Sequence, residues 1–162
     1  MQRLFVAVWP PAGLVDALDG LALGEGVRRV RPQRLHVTLR FLGDADAAVV
    51  VDALGGIDLP AAAAGVGGTT RLLGRDALVV PVDGLAALAA VVGRATAHLG
   101  VPSPDRFVGH LTVGRVRRRA RPPAVDVPTS WFPVESVELV RSVHGADGPT
   151  YTTLHTWLLG AT

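Results

Sequence analysis

The chain has 162 residues, 49% of them apolar and 19% charged, which is a globular composition large enough to bury one real core. It has no cysteine, which excludes a disulfide scaffold, a Cys nucleophile and a thiolate metal site. All 16 basic side chains are Arg, set against 14 Asp and Glu, so the net charge is only +2. A general polyanion-attracting field is thereby excluded, and any affinity for nucleic acid must come from local placement of Arg.

Residues 4–9 form an apolar run that reads as a buried strand, closed by Pro10-Pro11. The run is too short for a secretory signal, and no stretch nears the roughly 18 apolar residues of a membrane span. Residues 12–23 place Leu14, Leu18 and Leu21 at helical spacing. After the break at Arg31-Pro32, residues 35–42 read as a strand closed by Gly43-Asp44, and residues 45–55 as a helix stopped by Gly55-Gly56. The Ala- and Gly-rich residues 60–70 give no clear pattern. Residues 71–73 and 77–82 read as two strands around the turn Gly74-Arg75-Asp76.

The clearest helix is 85–99, with Leu85, Leu88, Val91, Val92 and Leu99 on one face and Gly100 at its end. Residues 107–116 read as a strand and 117–128 as an Arg- and Pro-rich connection. Residues 135–143 and 150–159 read as a hairpin around the turn 144–149. Mixed strands and helices with short connections imply an α/β or α+β architecture.

Two of the five histidines share one short context: His36-Val37-Thr38-Leu39 and His110-Leu111-Thr112-Val113. Residues i and i+2 of a strand point to the same face, so each segment carries an imidazole and a hydroxyl on one side and apolar residues on the other. Strict alternation adds Arg40 to the His36 face and sends Phe41 to the opposite one. Paired imidazoles suit phosphodiester cleavage, one neutral and accepting a proton from water, the other protonated and supplying the leaving oxygen. The Thr hydroxyls can donate to nonbridging phosphate oxygens. Spacing does not say which His is acid and which is base.

The segments His36-Val-Thr-Leu-Arg-Phe-Leu-Gly43 and Phe107-Val-Gly-His-Leu-Thr-Val-Gly-Arg115 resemble the two signature segments of the 2H phosphoesterases, in particular the RNA 2′,3′-cyclic phosphodiesterases of ThpR/LigT type, also called 2′-5′ RNA ligase-like proteins. The similarity also covers Arg3–Val8, Arg31–His36, Glu135–Ser142 and Gly148–Tyr151. One departure is Gly109, where the family often carries Pro. The resemblance implies one domain over 1–162 with an α+β, bilobed fold: two pseudo-symmetric lobes of antiparallel sheet plus helices around a central cleft. It further implies that His36 is the proton donor, that His110 is the proton acceptor, and that Thr38 and Thr112 hold the phosphate. The implied activity is hydrolysis of RNA 2′,3′-cyclic phosphodiester ends to 2′-phosphomonoesters. Alternatives are 2′-5′ RNA ligation, cleavage of 2′-5′ oligonucleotides, and an RNA- or nucleotide-binding module without turnover.

Further candidates for RNA contact are Arg40, Arg115, Phe5 and Tyr151, with Trp9, Phe107 and Trp131 as other aromatics and Arg117, Arg118, Arg119 and Arg121 as a basic run. His98 is expected late in a helix, near its C-terminal dipole. His144 and His155 lack a second polar partner, though the turn bearing His144 could reach the cleft. No His-Glu-x-x-His, acidic cluster or phosphate-cradling Gly-rich loop with Lys is present, so no metal and no cofactor are expected. The remaining expectations are a cytoplasmic monomer with no membrane association, no obligate protein partner, and an RNA or nucleotide substrate.

Overall fold

The computed structural model describes residues 1–160. In chain order the elements are β1 (Gln2–Val8), α1 (Ala12–Asp19), β2 (Val27–Arg29), a 3-10 turn (Pro32–Arg34), β3 (Val37–Ala45), α2 (Ala47–Gly55), β4 (Ala63–Thr69), β5 (Arg71–Leu73), β6 (Ala77–Asp83), α3 (Ala86–Ala95), β7 (His110–Val116), β8 (Asp126–Pro133), β9 (Ser136–Gly145) and β10 (Gly148–Leu158). Among the described residues the strand pairings are all antiparallel, which with the helices makes the fold α+β. Among the described residues no helix is long and apolar enough to cross a membrane.

The strands run in the order β10-β9-β1-β3-β7-β6-β4-β8, with β2 added beside β7 and β5 beside β6. Two lobes follow from that order, β10-β9-β1-β3 and β7-β6-β4-β8. They join at β3 and β7 through one paired position, Val37↔Leu111. Leu4, Val6, Val37, Leu39, Leu111, Val113 and Leu139 send their side chains to one side of the sheet. There they pack with Leu14 and Leu18 of α1, Val50 and Leu54 of α2, and Leu88 and Val92 of α3 into one continuous core. Each fully buried Leu or Val of this kind stabilises the fold by about 1.5–3 kcal/mol.

Several boundaries differ from the sequence reading. The first helix stops at Asp19, where the Gly20 N–H donates to the Asp16 carbonyl and the Leu21 N–H to that of Leu18. The strand expected to close at Gly43-Asp44 continues to Ala45, because Gly43 adopts φ +66 and keeps pairing with β1. Asp46 then caps α2 by accepting from the Ala48 N–H at 2.9 Å. The unclear stretch 60–70 contains β4, whose Gly-rich sequence carries little strand signal. The stretch 117–128 ends inside β8, which holds Pro128 and Pro133 and lies at the sheet edge, where proline is tolerated. His98 lies in the turn after α3 rather than in the helix.

Arg40 is a correction to the sequence reading. It does not face the cleft: it is 3% exposed and packed under the end of α3. Its Nε donates to Thr96 Oγ1 at 3.2 Å, Nη2 to the Thr96 and Leu99 carbonyls at 3.3 and 2.9 Å, and Nη1 to the Phe41 carbonyl at 2.9 Å. A cation is favoured against the C-terminal carbonyls of a helix, and here it ties α3 to β3. Arg40→Ala strands these acceptors in the interior and is expected to lower unfolding free energy by about 2–4 kcal/mol in urea titration. Arg40→Lys recovers only part of the loss, since one ammonium cannot span the four acceptors.

Candidate active site

The site forms where the two lobes meet. With Val37 opposite Leu111, one residue further in each direction places His36 opposite Thr112 and Thr38 opposite His110. All four side chains leave the sheet on the face away from the core, whose buried residues are Val37, Leu39, Leu111 and Val113. They line an open cleft of about 870 Å³.

Both strands then bulge at the same point of the motif. On β3 the register with β1 skips Leu39, and on β7 the register with β6 skips Val113. A bulge reverses the in–out alternation beyond it. It therefore turns the fifth residue after each histidine into the cleft: Phe41 in the first lobe and Arg115 in the second. This is why Arg40 goes inward and why Phe41, 39% exposed, lines the cleft rather than the core. Because the strands are antiparallel, Phe41 and Arg115 lie towards opposite ends.

The two imidazoles are oriented alike. His36 Nδ1 meets the Arg34 carbonyl at 2.7 Å, and His110 Nδ1 meets the Val108 carbonyl at 2.7 Å. A carbonyl partner requires Nδ1–H as donor, so in the neutral ring Nε2 is the free base. His36 Nε2 accepts from the Thr38 hydroxyl at 3.1 Å. Gly109, beside the second histidine, is needed for close approach, since a Cβ there would lie 2.2 Å from the Val82 carbonyl oxygen.

Their surroundings differ. His36 sits among Phe5, Tyr151 and Trp9, with ring centroids at 4.9, 5.3 and 5.4 Å, and Tyr151 is edge-on. Burial in this cage pushes the His36 pKa below its ordinary 6.5; the Arg34 carbonyl opposes that shift, and the nearby His110 adds to it. The Tyr151 pKa is pushed up by burial. Of the aromatics singled out in the sequence, Phe5 and Tyr151 line the cleft and Trp9 backs His36, whereas Phe107 packs on the core. Trp131 is exposed on β8.

Among the described residues the cleft is lined by six arginines, Arg3, Arg28, Arg29, Arg31, Arg34 and Arg115, against Asp76 and Asp147. Arg115 pairs with Asp76 at 3.2 Å, and Arg3 stacks over the Phe41 ring at 4.9 Å. The run Arg117–Arg121 does not line the cleft. His144 does, from the β9–β10 turn, while His155 packs on Trp157. The wall of Arg28, Arg31 and Arg34 went unnoticed in the sequence. Its one signal was the density of Arg just before the first motif. Among the described residues no three His, Asp or Glu side chains gather in a metal-holding group.

A family model described as LigT-like phosphoesterase matches residues 10–68. The fold is shared with a Thermus thermophilus protein of 28% identity, covering 97% of both chains at a TM-score of 0.81. It is shared with Escherichia coli LigT bound to 3′-AMP, at 25% identity over 99% of both chains and a TM-score of 0.82. The chain is thus similar to LigT-like phosphoesterases over residues 10–68 and shares their fold along nearly its whole length. A further structure described as a phosphoesterase, 23% identical over 99% of this chain and 100% of its own, has the same fold at a TM-score of 0.83. No curated protein matches the chain by sequence at a significant level. Both His-x-Thr motifs of this chain lie on the sheet face lining the cleft.

Because the folded protein disfavours the His36 imidazolium, the unfolded chain takes up that proton first as pH falls. Stability is therefore lost from pH 6.5 downward, until the folded-state pKa is passed. Tyr151→Ala opens the cage, and an NMR titration is expected to show the His36 ring moving up toward 6.5. An unchanged titration would remove burial by the cage as the cause.

Proposed function

We propose that this protein hydrolyses 2′,3′-cyclic phosphate ends of RNA or nucleotides to 2′-phosphomonoesters. The observation that carries the reading is the square of two imidazoles and two threonine hydroxyls across the β3–β7 seam. A phosphate centred there has Nε2 of one histidine on each side and a hydroxyl beside each, which is the geometry of in-line displacement at phosphorus. Bound nucleotide in the LigT structure supports a nucleotide ligand here.

In the proposed reaction His110 accepts the proton of the attacking water through Nε2. The water oxygen bonds to phosphorus, the P–O3′ bond breaks, and His36 Nε2–H protonates the departing 3′ oxygen. The phosphate stays on the 2′ oxygen. Burial favours neutral His36 in the free protein. An anionic phosphate between the rings opposes that shift and favours the imidazolium the acid role needs. Thr38, whose hydroxyl rests on His36 Nε2, can turn to donate to a nonbridging oxygen. Phe41 and Arg3 offer a stacking surface for the base, and the Arg wall attracts the strand.

A cleft of about 870 Å³ with recognition groups toward both ends also suits a phosphodiester with a nucleotide on each side. The second reading is therefore cleavage or formation of 2′-5′ linkages in the same site.

Protein assayed with EDTA is expected to convert a 2′,3′-cyclic nucleotide to the 2′-phosphate. His36→Ala and His110→Ala should each lose about 100-fold or more in kcat. Loss below tenfold in both variants would refute the acid–base assignment. Turnover of a 2′-5′ linked dinucleotide without turnover of the cyclic substrate would establish the second reading instead.

A further inference from the structure

Trp131 is 59% exposed, on an edge strand far along the chain from either motif. Strand register fixes its place relative to the histidines. His110 pairs with Pro81, Asp83 shares the Pro81 face, Asp83 pairs with Gly65, and Gly65 pairs with Trp131. Paired residues of antiparallel strands point to the same side, so Trp131 and His110 rise from one sheet face. Burial agrees, since the alternate residues Ala64, Val66, Val80, Val82 and Phe132 are in the core. Three strand steps of about 4.8 Å and one pair of residues along the strand separate them by roughly 16 Å.

The ring is displayed rather than merely uncovered. It lies flat on Gly65, where a Cβ would sit 2.6 Å from the indole, and close to Gly84, where a Cβ would meet it at 3.2 Å. Glycine inside a strand costs stability, and it commonly marks close approach to a ring, backbone or ligand. Two glycines thus hold one face of the indole against the sheet and leave the other to solvent. Gly68, also on β4, would bring a Cβ to 3.6 Å from the Pro81 ring, so the strand carries no side chain there either. Among the described residues no aromatic ring stacks on the free face.

We propose that Trp131 is a stacking site for an unpaired base of an RNA strand, about two to three nucleotides from the phosphate held between His36 and His110. The inference rests on the nucleic-acid reading of that cleft and extends it from a mononucleotide to a single-stranded oligonucleotide. The occupant is a base rather than a phosphate, because the charged neighbour paired across this floor is Asp83. The strand's phosphates meet the arginines of the cleft, and one base meets the indole. A flat ring with no pocket beneath it accepts any base face, so recognition here is by length and not by sequence.

The test uses an unreactive single-stranded RNA tetramer, together with a cyclic mononucleotide and a tetramer ending in cyclic phosphate. The unreactive tetramer is expected to quench indole fluorescence in the parent protein, and Trp131→Phe should abolish most of the quench. Trp131→Ala should raise KM for the cyclic tetramer about 5- to 50-fold while leaving kcat, and both constants for the mononucleotide, within about twofold. Trp131→Phe should keep most of the tetramer affinity. The Ala effect should be equal at low and high salt, as expected of stacking rather than ion pairing.

A tetramer KM unmoved by Trp131→Ala, or an equal loss on the mononucleotide, overturns the proposal. So does a monomer–dimer equilibrium that depends on Trp131 with no response to RNA. If neither cyclic substrate turns over, the proposed reaction fails on its own, and the unreactive tetramer still decides the site: quenching through Trp131 supports it and absence of quenching overturns it.

Discussion

The pairing of Val37 with Leu111 is the constraint on which the site depends. It is the one position at which β3 and β7 are bonded, and it sets the phase of everything on either side. Slipping the register by one residue would turn one imidazole into the core and bring a valine or leucine to the surface, at about 1.5–3 kcal/mol for each buried aliphatic lost. The apolar sides of both motif strands therefore guard the chemistry on their polar sides. The bulges at Leu39 and Val113 end that strict alternation three residues after each histidine and give each lobe one further cleft residue, Phe41 and Arg115.

Matched strands do not make matched histidines. His36 is enclosed by Phe5, Trp9 and Tyr151 and held to the Thr38 hydroxyl, whereas His110 has a backbone carbonyl partner and a more open setting. Near-symmetric backbones thus carry two rings in different surroundings, and burial lowers the pKa of His36. Charge is as unevenly placed as hydrophobicity. Six arginines and two aspartates line the cleft, leaving ten arginines against twelve acidic residues elsewhere. The small net charge of the chain conceals a cationic cleft in an otherwise slightly acidic protein.

The strands bearing the motifs were legible because hydrophobic alternation and the repeated His-x-Thr agree, and the long apolar face of α3 was legible by its period. The placement of Arg40 was not, because a bulge leaves no mark in a single sequence, and alternation assigned both Arg40 and Phe41 to the wrong side. β4 and β8 were hidden for a related reason: glycine and proline speak against strands, yet here they serve an indole platform and a sheet edge. Arg28 of the Arg wall could not be placed from sequence because β2, a three-residue strand, carries it to the cleft by pairing with Arg115 of β7, far away along the chain. Single residues that act through neighbours within two positions could be read; those placed by distant strands could not.

The lobes also differ in how the chain builds them. The second is laid down almost continuously, with β4 to β8 between residues 63 and 133, whereas the first joins β1 and β3 to β9 and β10 from the other end of the chain. β1 lies between β3 and β9, so on a ribosome the first strand made has one edge open until the last hairpin emerges. The same hairpin brings Tyr151 to His36 and places the Asp147 carbonyl 3.0 Å from Arg34 Nη2, so the residue whose carbonyl orients His36 is itself anchored last. A nascent chain can thus complete the His110 side while the His36 side is still an unfinished sheet. The protein is assembled from its middle outward, and its caged histidine is set only when synthesis is nearly over.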